Sequence, residues 1–278
     1  MNVWQADFYR RPLQDETGQV LWELLICDTT GNVIYQSFCP QPDVTRDWLV
    51  SQVQVAAAKT GLPDAIHVFR PQSFNLFQEV GQQLGIKVEA TRRTPALKQR
   101  LQERTLEYQQ HENYTGEAYN PLSLDKPPPV PLPENLWGDR WRFARIPAGD
   151  IEEGFAQRPI PILQMPNELL PLQLGLASTI AVPGVVIDGG RQSMPLARWL
   201  QEVQPVALNY IPGAPDGLIL EAGLVERWVM ATFEDEEVAA AARLYEQRKQ
   251  KSQGLHFLFV QPDDSGMTYT GFWLLMAD

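Results

Sequence analysis

Hydrophobic and polar positions change their spacing several times along the chain, and each change marks an element. From residue 3 to residue 39, short apolar runs are broken by the polar turns Asp15-Glu16-Thr17-Gly18 and Thr29-Thr30-Gly31-Asn32. That pattern predicts three antiparallel strands near 3 to 11, 19 to 28 and 32 to 39. The spacing then becomes helical: Trp48, Leu49, Val53 and Ala56 predict a helix from Thr45 to about Thr60, stopped by Gly61. A strand at 65 to 69 follows, then a helix capped by Ser73 that carries Phe74, Phe77, Val80 and Leu84 inward and ends at Gly85. Ile86 to Ala90 reads as a fifth strand. Thr94 as N-cap and Pro95 at the first helical position open a third helix, with Leu97, Leu101 and Tyr108 inward. The resulting order, βββαβαβα, is that of the ribonuclease H-like fold.

The second half is predicted to start with a strand from Arg140 to Ile146 and to run irregularly, with many prolines, to about Gly190. Leu196, Trp199, Leu200 and Val203 then predict a helix, and strands follow near 206 to 210, 217 to 222 and 225 to 233. A helix from Asp235 to about Lys251 places acids at its start and Arg248, Lys249 and Lys251 at its end, in line with the helix dipole. The chain closes with strands at Leu255 to Val260 and Tyr269 to Met276. The five apolar residues from Phe272 to Met276 lack period-two alternation and predict a strand buried on both faces. Between the halves, Tyr119 to Pro133 holds six prolines and excludes helix and central strand. It reads as an extended strap pinned by Leu122, Leu124 and Leu132. The fold class is therefore α/β, as two mixed-sheet halves joined by a Pro-rich strap. The expected domains are 1–118, a linker at 119–135, and 136–278.

Composition narrows the picture. The 278 residues are ample for a core, and no apolar run approaches the length of a membrane span. No leader pattern precedes the strand-like Val3 to Phe8, so the expected place of action is the cytoplasm, without membrane insertion. Cys27 and Cys39 flank a hairpin that pairs Cys27 near Ile34, so both are expected as buried free thiols. His67, His111 and His256 are scattered, and His256 reads as a strand residue on a polar face. Gly184 to Gly190 lacks the Lys-Ser/Thr of a phosphate-binding loop and reads as strand and turn. No catalytic residue, cofactor or metal site is expected.

The net charge of −11 repels phosphate, but it is unevenly spread. Residues 1 to 110 carry 11 Lys and Arg against 12 Asp and Glu, whereas residues 111 to 278 carry 12 against 22. The permissive half also holds a basic patch from Lys87 to Arg104, with Arg92, Arg93, Lys98 and Arg100 between them and only Glu89 and Glu103 opposing. On its own this patch also fits a solvated helix flank. Phe8, Tyr9, Arg10 and Arg11 join rings and cations on one strand, with Phe8 and Arg10 on one face and Tyr9 and Arg11 on the other.

Four blocks, spread in order from end to end, carry a resemblance. They are Asp7-Phe8-Tyr9-Arg10-Arg11-Pro12-Leu13, then Trp22 to Asp28, Pro133-Glu134-Asn135-Leu136-Trp137-Gly138, and the ending Gly271-Phe272-Trp273-Leu274-Leu275 preceded by Gly254 to Gln261. The chain resembles the Tab/Atab family of RNA-binding translation activators of photosynthetic organisms. The resemblance implies a non-enzymatic protein that binds the single-stranded leader of a photosystem reaction-centre messenger and promotes its translation and photosystem biogenesis, alongside other translation or assembly proteins. Under that implication Arg10, Arg11, Arg92, Arg93, Lys98, Arg100 and Arg104 are the expected RNA contacts. Trp273, Leu274 and Leu275 of the closing signature are expected to be structural. Two other functions stay open: a protein-binding assembly scaffold without direct RNA contact, and a metal-dependent nuclease. The nuclease would use Asp7 but meets Arg70 where a further acid is wanted.

Overall fold

Burial of the first strand on both faces sets the architecture of the N-terminal unit. The computed structural model describes residues 2–277 and divides into two compact units, Met1–Asp125 and Lys126–Asp278. In the first, β1 (Val3–Gln14), β2 (Val20–Asp28) and β3 (Val33–Pro40) pair antiparallel, and β4 (Ala65–Val68) and β5 (Lys87–Ala90) run parallel to β1. The strand order is β3-β2-β1-β4-β5. Helices α1 (Arg46–Thr60), α2 (Pro71–Leu84) and α3 (Pro95–Gln109) complete the expected βββαβαβα order.

Both tight turns are built on an aspartate. Asp28 accepts from the backbone N–H of Thr30 and of Asn32, and hydrogen bonds from the Thr30 and Asn32 side chains hold its carboxyl down at about 2. Trp4, Ala6 and Phe8 project from one face of β1 into a core with Leu49, Val53 and Ala56 of α1 and Phe77 and Val80 of α2. On the other face, Leu97 and Leu101 of α3 pack on Leu25, Cys27 and Phe69. Cys27 pairs with Val33 across the hairpin, and both cysteines are free and buried. Burial pushes their thiols up, Cys27 to about 11 and Cys39 to about 12.

One cap differs from expectation. Ser73 lies inside the first turn of α2, which starts at Pro71 with Arg70 as N-cap. Proline's fixed φ favours the first helical position, and this takes precedence over a serine two residues later.

The strap divides its leucines between cores. Leu122 and Leu124 pack beside Leu25 and Phe69 in the first unit, whereas Leu132 is buried in the second.

In the second unit, β6 (Val130–Pro131) is the edge strand of the sheet β10-β11-β12-β6, formed with β10 (Pro205–Ile211), β11 (Asp216–Ala222) and β12 (Glu226–Phe233). A second sheet has the order β7-β9-β13-β14-β8, from β7 (Arg140–Pro147), β8 (Ile162–Gln164), β9 (Ala181–Asp188), β13 (Leu255–Gln261) and β14 (Gly271–Met276). The helices are α4 (Ala148–Phe155), α5 (Ser193–Val203) and α6 (Glu236–Lys251), the last capped by Asp235. Trp273 and Leu275 of β14 join Leu258 and Val260 of β13 in one core, while Phe272 and Leu274 join Phe257 and Phe259 in the other. The closing strand is thus internal and buried on both faces.

The stretch expected to be irregular up to Gly190 is corrected: it contains α4 and β8, and the strand read within Gly184 to Gly190 is the end of the central strand β9, which starts at Ala181. Pro183 is tolerated because the ladder with β13 begins only at Gly184, and Gly184 is required because a Cβ there would lie 2.4 Å from the Phe257 ring. His256 is also corrected: β13 has no polar face, and the imidazole is fully buried.

Candidate nucleic-acid interface

Helix α3 is fixed at its start by Gln5, whose side-chain oxygen accepts from the Leu97 N–H at 2.9 Å. With Leu97, Leu101 and Tyr108 buried, the helix turns Lys98 and Arg100 to its flank, and Arg93 stands exposed just before it. The Lys98 ammonium lies 5.9 Å from the Phe69 ring centre. Arg100, 40% exposed, pairs with Glu103, 43% exposed; such a surface pair is weak and screened by salt, so it exchanges readily for a phosphate. Lys87 likewise pairs with Glu89 at the surface.

Three of the expected contacts are turned inward. Arg92 is buried, and Arg11 and Arg104 serve an ion network beneath α3. Arg11 donates from Nη2 to Asp7 at 3.0 Å, from Nε to Glu23 at 2.7 Å and from Nη1 to the Tyr119 hydroxyl at 3.0 Å. Arg104 meets Glu23 at 2.5 Å, and the Tyr108 hydroxyl donates to the same carboxylate. Arg70 donates from Nε to the other Asp7 oxygen at 2.9 Å and lies 4.0 Å over the Tyr9 ring. Its two terminal nitrogens donate to the carbonyls of Ser123 and Pro121 in the strap, at 3.1 and 2.6 Å. Burial alone would raise the Asp7 carboxyl, but Arg70 and Arg11 outweigh it and hold it below the ordinary range.

Arg10 is exposed, but alternation places it on the Phe8 face of β1, opposite the face that α3 covers. The cations that the fold gathers at α3 outside the buried network are therefore Arg93, which is exposed, and Lys98 and Arg100, which are half-buried. Asp7 has both oxygens engaged by guanidinium groups. Among the described residues no three His, Cys, Asp or Glu side chains gather in a group able to hold a metal ion. Trp273, Leu274 and Leu275 are buried.

A second surface feature lies in the C-terminal unit, where a cleft of about 540 Å³ opens between β7 and β12. Trp137 and Arg140, each 58% exposed, stand at its rim. Sequence patterning did not single them out for chemistry, because their signal is a tryptophan left exposed beside an edge strand, which only the fold displays.

The family described as RNA-binding protein Tab2/Atab2 N terminal matches residues 3–104, and its C-terminal domain matches residues 119–276. The chain belongs to the Tab2/Atab2 family. Among curated Tab2 relatives, the protein TAB2 homolog, chloroplastic, of Zea mays is 32% identical over 98% of this chain and 71% of its own length. The Arabidopsis thaliana protein of the same name is 30% identical over 98% of this chain and 74% of its own length. A solved structure of the HTLV-2 integrase catalytic core domain with magnesium covers 37% of this Tab2-family chain and 70% of its own, at 20% identity and a TM-score of 0.26, a likeness too low to carry an argument. No helix among the described residues is long and apolar enough to cross a membrane.

Proposed function

We propose that this protein binds the single-stranded leader of a photosystem reaction-centre messenger RNA and promotes its translation, with Arg93, Lys98 and Arg100 contacting phosphates. The observation that carries the reading is membership of an RNA-binding family over both units. The residue chemistry supports it: these three cations sit at the surface of the half whose charge is nearly balanced, on a helix anchored to the sheet. Arg10 is proposed as a separate contact on the opposite face of the sheet. Arg11, Arg92 and Arg104 are proposed to support the site from beneath. The strand order of the first unit favours a ribonuclease H-like assignment for it. A non-enzymatic role is favoured by Asp7, whose two oxygens already accept from Arg70 and Arg11. The place of action is proposed to be the cytoplasm, a reducing compartment suited to two buried thiols, with translation or assembly proteins as further partners.

Fluorescence anisotropy with a labelled reaction-centre leader and a shuffled RNA of equal length tests the proposal. Tighter binding to the leader is expected. Equal affinity for both, or none, would contradict it and favour a scaffold that reaches RNA through another protein.

A further inference from the structure

Trp137 closes a short turn at Glu134–Leu136 whose neighbours Leu132 and Leu136 are buried in the core of the second unit. Its backbone N–H donates to the Glu134 carbonyl at 3.2 Å, and its indole Nε1 donates to the Leu132 carbonyl at 3.0 Å. Gly138, next in the chain, presses against β9: a Cβ there would lie 2.7 Å from Ile187 and 3.0 Å from the Asp188 carbonyl. The indole is therefore held in orientation by its own hydrogen bond and by the chain on both sides, yet it remains 58% exposed. Large aromatics are ordinarily buried, and this one's polar tip is already satisfied.

The cleft beside it supplies the other groups that an unstacked base requires. Arg140 stands at the rim, 58% exposed, and donates through Nε to Asp188 and through Nη2 to Asp264, two of its five N–H groups. β6 pairs only with Trp228 and Val229 of β12, so the cleft-side backbone of Met230 to Thr232 lies at a sheet edge, offering donors and acceptors. Trp141 and Met230 form apolar walls. A flat ring with a hydrogen-bonding edge and a neighbouring phosphate matches this set. A purely hydrocarbon ligand would leave the guanidinium and the strand edge without use.

We infer that this cleft takes one unpaired RNA base, stacked on Trp137, with Arg140 at its flanking phosphate. The inference rests on the RNA-binding reading above and adds a contact from the acidic unit.

The test compares the full-length protein with Trp137→Ala, Trp137→Phe and Arg140→Gln, by anisotropy on the labelled reaction-centre leader over a salt series. Trp137→Ala should weaken binding about 5- to 150-fold with its salt slope and melting midpoint unchanged, and Trp137→Phe should restore most of the loss. Arg140→Gln should make the slope shallower by about 0.7. Wild-type binding that survives Trp137→Ala within twofold would overturn the base site while leaving the RNA-binding reading intact. A wild-type protein that binds no RNA would overturn both.

Discussion

His256 shows how a single residue couples the interior to pH. Its Nε2 accepts from the Leu208 N–H and its Nδ1 donates to the Gly254 carbonyl, which fixes a neutral ring. Burial, reinforced by the nearby Lys249 ammonium, lowers its pKa to about 3 from an ordinary 6.5. The folded state thus binds fewer protons than the unfolded state between these values. Stability is complete above about pH 6.5 and falls with acidification by at most about 1.4 kcal/mol per pH unit. Urea titrations from pH 7 to pH 4 should show that loss, and His256→Gln should show a shallower pH dependence. Parallel curves would contradict the assignment. Arg70 makes a comparable test, because removing one partner of a buried pair leaves the other charge uncompensated. Arg70→Gln should cost about 3–5 kcal/mol, read as a lower denaturation midpoint, and should raise hydrogen exchange over residues 119–124.

The elements differ in how they follow from sequence. α1 was legible because its apolar spacing agrees with the Thr45 N-cap, which accepts from the Trp48 N–H, α3 because its apolar spacing follows Pro95 in the first turn although Thr94 makes no capping bond, and α6 because its acids and bases suit the helix dipole at either end. β14 was legible because five apolar residues in succession have nowhere to go but a doubly covered strand. Trp273→Ala should therefore cost about 3–5 kcal/mol in a denaturation experiment, and a variant with an unchanged midpoint would show the strand to be peripheral. β9 was legible only in part: Gly184 to Gly190 reads as strand and turn, but the start at Ala181 was not, because tolerance of Pro183 and the need for Gly184 depend on where β13 begins and on the Phe257 ring, both distant in sequence. The same limit applied to the candidate site. The basic run from Lys87 to Arg104 was visible, but that Arg104 turns inward depends on Glu23 of β2, distant in sequence, which engages it. Gly184→Ala should lower stability by about 1–3 kcal/mol, since the Phe257 ring must move to admit a methyl group.

At the scale of the whole molecule, an acidic protein of net charge −11 is assigned an anionic partner, and charge segregation resolves the conflict. The first unit presents Arg93, Lys98 and Arg100 at and just before the flank of α3 while its strongest charges neutralise one another inside. Specificity is then expected from bases, and affinity from a small number of phosphates. The most direct test is the salt dependence of leader binding for the wild type and for Arg93→Gln/Lys98→Gln/Arg100→Gln. The three phosphate contacts at α3 predict that the triple variant's log–log slope is shallower than the wild type's by about 2, with weaker binding at an unchanged melting midpoint. Identical slopes for the two proteins would contradict the placement of the RNA backbone on α3.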